Sequence, residues 1–186
     1  MAEKPFTITI HMVSSLDGMI AKPDNSVSWF ETASHYEKGV TLTDQEMSDF
    51  ITSIDCYIMG RHTYEHALEL SKEHGWAYGD IPTIVLTHQN LSSEKENIMF
   101  YSGDLTAMVT EKLKPHCKNV WLVGGPALAK DFIGLKLANE LRLSVLPIIL
   151  GEGKPFFDHI GNEQLLNLKD VKAYKNGMVE LHYELR

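Results

Sequence analysis

Three segments combine groups that can bind a ligand with backbone that lets one come close. Gly60-Arg-His-Thr-Tyr-Glu65 follows the apolar run Cys56-Tyr-Ile-Met59, so a residue without Cβ precedes a guanidinium, an imidazole, a hydroxyl and a helix start. Free N–H groups and the dipole at a helix N-terminus favour phosphate, and Arg61 adds a bidentate donor beside His62 and Thr63. Gly124-Gly-Pro-Ala-Leu128 follows Val120-Trp-Leu-Val123. Gly124 and Gly125 let a ligand lie against the chain just before Pro126, Ala127 and Leu128 begin a second helix. Two such ends could hold a pyrophosphate. The third segment, Ile84-Val-Leu-Thr87-His88, is a buried run ending in a hydroxyl and an imidazole. Each has a plainer reading: a tight strand-to-helix turn, a surface ion pair at Arg61, ordinary loop polarity at Thr87 and His88. Occurring together at strand ends, they favour a dinucleotide site, because open α/β sheets bind ligands at the C-terminal ends of their strands.

Competing motifs are weaker. No GxGxxG occurs, and Gly151-Glu-Gly-Lys154 lacks both the spacing of a phosphate-binding P-loop and its following Ser or Thr. His62-Thr-Tyr-Glu-His66 has the form HxxEH of inverted zinc peptidases, but zinc needs a third protein ligand and His62 already belongs to the Gly-Arg-His-Thr segment. No metal is expected.

The elements that must carry these segments follow from the apolar pattern. Short runs recur at Phe6–Val13, Cys56–Met59, Thr83–Leu86, Val120–Val123 and Leu141–Leu150, with helix patterns over His62–Leu70, Leu105–Leu113 and Pro126–Ile133. Such alternation argues for a mainly parallel α/β sheet covered on both faces. Thr43-Asp-Gln-Glu46 reads as a capping box, opening a helix that carries Met47, Phe50, Ile51 and Ile54 toward the core. Asn176-Gly177, between Val171–Lys175 and Met178–Leu185, predicts an antiparallel hairpin at one edge. The polar stretches Ala33–Asp49 and Ser92–Asn97 are short enough for loops or helix starts, so a single domain over 1–186 is expected.

A formal net charge of −8 leaves no basic field for a nucleic-acid backbone or an anionic membrane. Two cysteines, Cys56 and Cys117, make neither a disulfide framework nor a multi-thiolate metal site. With no long apolar run at the N-terminus, a reduced, cytoplasmic chain is expected.

Ser14-Ser-Leu-Asp-Gly-Met-Ile-Ala21, Met59-Gly-Arg-His-Thr-Tyr-Glu65, Leu122-Val-Gly-Gly125 and the stretch from Glu140 to Phe157 resemble the dihydrofolate reductase superfamily. They look most like its riboflavin-biosynthesis branch, the C-terminal reductase domain of the bifunctional pyrimidine deaminase/reductase. The resemblance covers nearly the whole chain in order. It implies a three-layer dihydrofolate reductase-like fold, NADPH as cofactor and a homodimer, although no residue here marks a dimer interface. It further implies that Gly60, Arg61, His62 and Thr63 bind the NADPH phosphates and that Thr87 and His88 stand beside the adenosine 2′-phosphate. Gly124 to Leu128 would support the pyrophosphate and nicotinamide side. Met12, Val13, Ile20 and Ala21 would form the nicotinamide edge, and Ser144 would face substrate.

The reaction implied is reduction of the ribosylamino group of 5-amino-6-(5-phosphoribosylamino)uracil by NADPH, with Lys154 or Lys22 neutralising the substrate phosphate. Hydride transfer also needs a proton source, for which Asp17 is the candidate; its plainer role is a turn with Gly18. The chain departs from the bifunctional pattern in lacking the HxE and PCxxC zinc deaminase motifs, and no arginine lies between Asp24 and Asp49. Dihydrofolate reductase is the alternative, on Trp29-Phe30 and Met59-Gly-Arg-His-Thr63, but Val27-Ser28 stands where that enzyme has its pocket acid. A non-catalytic NADPH-binding module is a further alternative.

Overall fold

The computed structural model describes residues 5–31, 34–157 and 159–186. Ala33, the start of the first polar stretch, lies outside them, as do the first residues of the N-terminus. Eight strands form one sheet in the order β5 (Ile98–Tyr101), β4 (Thr83–Leu86), β3 (Cys56–Gly60), β6 (Asn119–Gly124), β1 (Thr7–Ser15), β7 (Glu140–Leu146), β10 (Val179–Leu185) and β9 (Leu166–Ala173). The pairs from β5 through to β7 are parallel, while β7/β10 and β10/β9 are antiparallel. This is the expected mainly parallel sheet with a C-terminal hairpin. A separate two-stranded ribbon pairs β2 (Met19–Ala21) with β8 (Lys154–Pro155).

Alternation along the central strands sorts side chains into two layers. Cys56, Ile58, Ile8, Ile10, Val120 and Leu122 face α4 (Pro126–Gly134) and the helical stretch made of α3 (Leu105–Ala107) and a π-helical turn over Met108–Leu113. Tyr57, Met59 and Val85 face α2 (Arg61–His74) through Tyr64 and Leu68. Helices therefore cover both faces. Phe132 is fully buried, and its replacement by alanine would cost roughly 3–5 kcal/mol.

Local signals set the helix ends. Pro126 stands in the first turn of α4, which ends at Gly134, and α2 runs one turn past Leu70 to stop before Gly75, whose φ is +78°. The Thr43 capping box forms, with Glu46 N–H on Thr43 Oγ1 and Thr43 N–H on Glu46 Oε2, and opens α1 (Asp44–Thr52). The expectation that this helix carries Met47, Phe50, Ile51 and Ile54 toward the core holds for Ile54, just past its end, which packs against the Tyr57 cluster, and is corrected for Met47 and Ile51. None of its residues is buried, and Met47 and Ile51 are 42% and 38% exposed. Phe50 instead meets the rings of His11 and Trp121 on the sheet. The run Leu141–Leu150 is also divided: Pro147 has no N–H for the ladder, so the strand stops at Leu146.

Candidate active site

The apolar strands end on one rim of the sheet, and a cavity of about 1030 Å³ opens there. That is at the upper end of the range for ligand sites, with room for an elongated molecule and a second small one. Its walls come from the ends of β1, β3, β4 and β6, from the start of β5–α3, and from the β2/β8 ribbon. Met12, Val13, Ile20 and Ala21 line one part, Gly60, Arg61, His62 and Thr63 another, with Thr87, His88 and Gly124 to Leu128 completing the sites expected for a cofactor.

Two helix N-termini meet in this cavity. Gly60 caps α2 and Gly125 caps α4, and neither helix start is closed by a side-chain hydrogen bond. The N–H groups that begin α2 are free for an anion, and in α4, where Pro126 has no N–H, those of Ala127 and Leu128 are. The two turns are neighbours: a Cβ on Gly60 would lie 3.8 Å from Gly125 N and 3.9 Å from Gly124 O. Gly124 has φ +137°, a conformation L residues rarely adopt, and an added Cβ would press on Met12 Sδ at 3.2 Å. The Gly124–Gly125 peptide is cis.

Arg61 makes the ion pair that its plainer reading expected, at i,i+4 spacing along α2. Glu65, one turn along α2, accepts from Arg61 Nη1 at 2.7 and 3.1 Å, leaving other guanidinium donors at the cavity. At the β4 end, Thr87 Oγ1 accepts the Gln89 N–H at 3.0 Å, and His88 Nδ1 lies 3.0 Å from Ser102 Oγ. Ser102 and Tyr101 also line the wall.

Beyond Met12 and Val13 the wall changes character. Val27, Phe30 and Trp121 give it an apolar surface, while Asn25, Lys154 and His11 give it polar groups. Lys154 Nζ bonds Asn25 Oδ1, so the ribbon brings a cation and an amide to the same end. Lys22 instead donates to Ser28 Oγ at 3.0 Å and is not in the wall. His11 stacks on Trp121 with centroids 5.0 Å apart, and Trp121 Nε1 donates to the His11 carbonyl. Burial, then the charges of Arg142 and His182, lower the His11 pKa to about 4, which keeps the ring neutral near pH 7.

Two expected site residues fall elsewhere. Asp17 is not in the cavity wall. Its carboxylate accepts from Ser15 Oγ at 2.6 Å, Leu150 N–H at 3.1 Å and Gly151 N–H at 2.8 Å, and those bonds, the Ser15 one foremost, hold its pKa near 2. A group ionised at every working pH carries no proton to give; Asp17 ties the β1–β2 turn to the loop after β7. Ser144 is buried outside the wall and reaches the cavity through His11, its Oγ lying 3.3 Å from Nε2. His62 and His66 both line the cavity, but among the described residues no group of three His, Cys, Asp or Glu could hold a metal.

His11 and Trp121 are among the wall residues that sequence reasoning passed over. The signal for His11 was present: in Thr7-Ile-Thr-Ile-His-Met12, alternation sends Thr9 and His11 to the face opposite Ile8 and Ile10, so an imidazole stands on a strand face otherwise set for packing.

Comparison with known proteins agrees with this architecture. The chain is 34% identical over 175 residues to the uncharacterized protein YwjB of Bacillus subtilis (strain 168), covering 94% of this chain and 95% of that one. It is 28% identical to YyaP of the same organism, over 95% of this chain and 93% of that one. A Shewanella sp. PV-4 protein provisionally named for riboflavin biosynthesis superposes with a TM-score of 0.81 at 20% identity, over 97% of this chain and 99% of that one. A pyrimidine reductase-like protein of Corynebacterium diphtheriae superposes with a TM-score of 0.64 at 12% identity, covering 97% and 92%. These two share the fold. Residues 64–179, which hold α2 from Tyr64 onward, the Gly124-Gly125 turn, β9 and the first residue of β10, match the family model described as the RibD C-terminal domain, and the chain belongs to that family.

Proposed function

We propose that the protein is an NADPH-dependent reductase that delivers hydride to a ribosylamino pyrimidine of the 5-amino-6-(5-phosphoribosylamino)uracil type. One observation carries the reading. Two helix starts without side-chain caps, at Gly60 and Gly125, stand side by side in a single cavity with Arg61 beside them, a setting that suits a diphosphate. The residues present fit the cofactor. Free N–H groups of α2 and α4 with Arg61 take its diphosphate, Thr87 and His88 its adenosine end, and Met12, Val13, Ile20 and Ala21 its ring. Bound NADPH supplies the hydride.

The chain's own contribution is position and exclusion of water. Val27, Phe30 and Trp121 make the far end apolar, and Lys154, fixed by Asn25, offers the charge that a substrate phosphate requires. Localisation in the cytoplasm fits this reading, and among the described residues no helix is long and apolar enough to cross a membrane.

Titration calorimetry with NADPH, then optical assay of NADPH oxidation with the ribosylamino pyrimidine and separately with dihydrofolate, tests the proposal. Saturable NADPH binding and faster oxidation with the pyrimidine are expected. Absence of NADPH binding overturns the reading, and preference for dihydrofolate transfers the protein to folate reduction.

A further inference from the structure

The two nicotinamide coenzymes differ at the adenosine ribose, where NADPH carries a phosphate and NADH a hydroxyl. That phosphate adds about 1.5 to 2 negative charges near pH 7, so the charges of the cavity wall bear on which coenzyme it favours. Among the described residues the wall has four charged side chains, Arg61, Glu65, Asp131 and Lys154. Lys154 stands at the substrate end, bonded to Asn25. Arg61 is left as the cation beside the two helix starts, where Glu65 on α2 and Asp131 on α4 bring two carboxylates.

That cation is already engaged. Arg61 Nη1 donates to Glu65 Oε1 at 2.7 Å and Oε2 at 3.1 Å, and Nη2 lies 3.3 Å from His62 Nε2. Glu65 Oε2 in turn stands 3.6 Å from His62 Nδ1. One carboxylate thus holds both basic side chains at the start of α2 and offsets the guanidinium charge. The helix starts themselves form a single cradle, since a Cβ on Gly60 would lie 3.8 Å from Gly125 N. One cradle serves one diphosphate. At the β4 end the described wall carries no lysine or arginine; Thr87, His88 and Ser102 offer two hydroxyls and an imidazole. His88 Nδ1 lies 3.0 Å from Ser102 Oγ, and Thr87 Oγ1 accepts the Gln89 N–H, which leaves the Thr87 O–H to donate. Such groups satisfy a ribose hydroxyl as well as a phosphate, and none is a fixed cation.

We infer that Glu65 is a specificity-determining residue of the coenzyme end, and that its carboxylate opens the cavity to NADH as well as NADPH. It acts through Arg61, by offsetting the charge that would favour a further phosphate, and directly, by repelling that phosphate. The inference rests on the reading of the cavity as a nicotinamide reductase site and adds the range of coenzymes that the site takes.

The test is calorimetry of the full-length protein with NADPH and, separately, with NADH. The two dissociation constants should agree within about tenfold, because charges at a half-exposed, screened site discriminate weakly. Glu65→Gln, which keeps the shape of the side chain, should tighten NADPH about two- to fivefold more than NADH. That gain should fade as salt is raised. Glu73→Gln removes the same charge from the far end of α2, outside the wall, and should leave the ratio of the two constants unchanged. A preference beyond about tenfold for either coenzyme in the parent overturns the inference. So does a ratio unmoved in Glu65→Gln, or one moved equally in Glu73→Gln. If NADPH still binds in those cases, the reading of the cavity as a reductase site stands; a protein that takes neither coenzyme loses that reading, and this inference with it.

Discussion

At the level of single residues, the site is governed by pairs as much as by the groups themselves. Arg61 shares its guanidinium with Glu65, so the two substitutions should act in opposite directions. Arg61→Ala is expected to raise the KM for NADPH several-fold with a smaller change in kcat, because the proposed contact is to non-reacting phosphates. Glu65→Gln should lower that KM, since it removes a negative charge and releases donors; steady-state kinetics in NADPH check both, and an unchanged KM in Arg61→Ala would take the guanidinium out of the site. Asp17 makes a prediction of a different kind. Its folded pKa, near 2, lies below the unfolded value of about 3.9, so the stability it contributes is present above about pH 4 and disappears as pH falls toward 2. Asp17→Asn should therefore lower the melting temperature at neutral pH with little effect on turnover, and the gap from the parent should close in acid. A large loss of kcat with unchanged melting would restore Asp17 to proton delivery. The Asp-Gly pair was visible in the sequence. Its partners were not, because Leu150 and Gly151 lie more than a hundred residues away and reach it only once the loop after β7 folds back.

Among the elements, the strand-to-helix turns were legible and the ribbon was not. A glycine directly after an apolar run and before a helix pattern is a local signal, so Gly60 and Gly124-Gly125 could be read without knowing what lay opposite. The β2/β8 ribbon has two or three residues on each side and depends on a close approach. A Cβ on Gly153 would stand 2.3 Å from the Ala21 carbonyl oxygen, and its φ is +155°. Gly153→Ala should thus part the ribbon and displace Lys154, weakening substrate more than NADPH; equal losses for both ligands would show the change to be general unfolding. Gly125→Val tests the other wall. A Cβ there meets nothing nearer than Thr63 Oγ1 at 3.6 Å, so the first atom of the side chain fits, and its methyl groups occupy space beside the α4 N-terminus. Loss of NADPH binding with a near-parental melting temperature is expected, measured by calorimetry and circular dichroism. The capping box of α1 was equally local, but whether its apolar stripe is covered depends on tertiary packing, and the sequence pattern overstated it.

Across the whole molecule, the cavity draws its walls from segments that the chain order keeps far apart. The side proposed for the cofactor joins β1 to β3, β4 and β6, so a ligand there bears on most of the parallel sheet. NADPH at about a hundred times its Kd should add about 2.7 kcal/mol to unfolding and raise the melting temperature by several degrees, a shift that calorimetric scanning can follow and that Gly125→Val should abolish.

The position of β1 reaches further still. It pairs with β6 and β7, whose residues begin at Asn119 and Glu140, on either side of a strand that the chain supplies first. On the ribosome, Ile8 and Ile10 must therefore wait for more than a hundred later codons to be read before their neighbours exist. A nascent polypeptide in that interval presents a naked sticky ridge, and arrested translation intermediates ending before Asn119 should bind chaperones strongly while the released product does not.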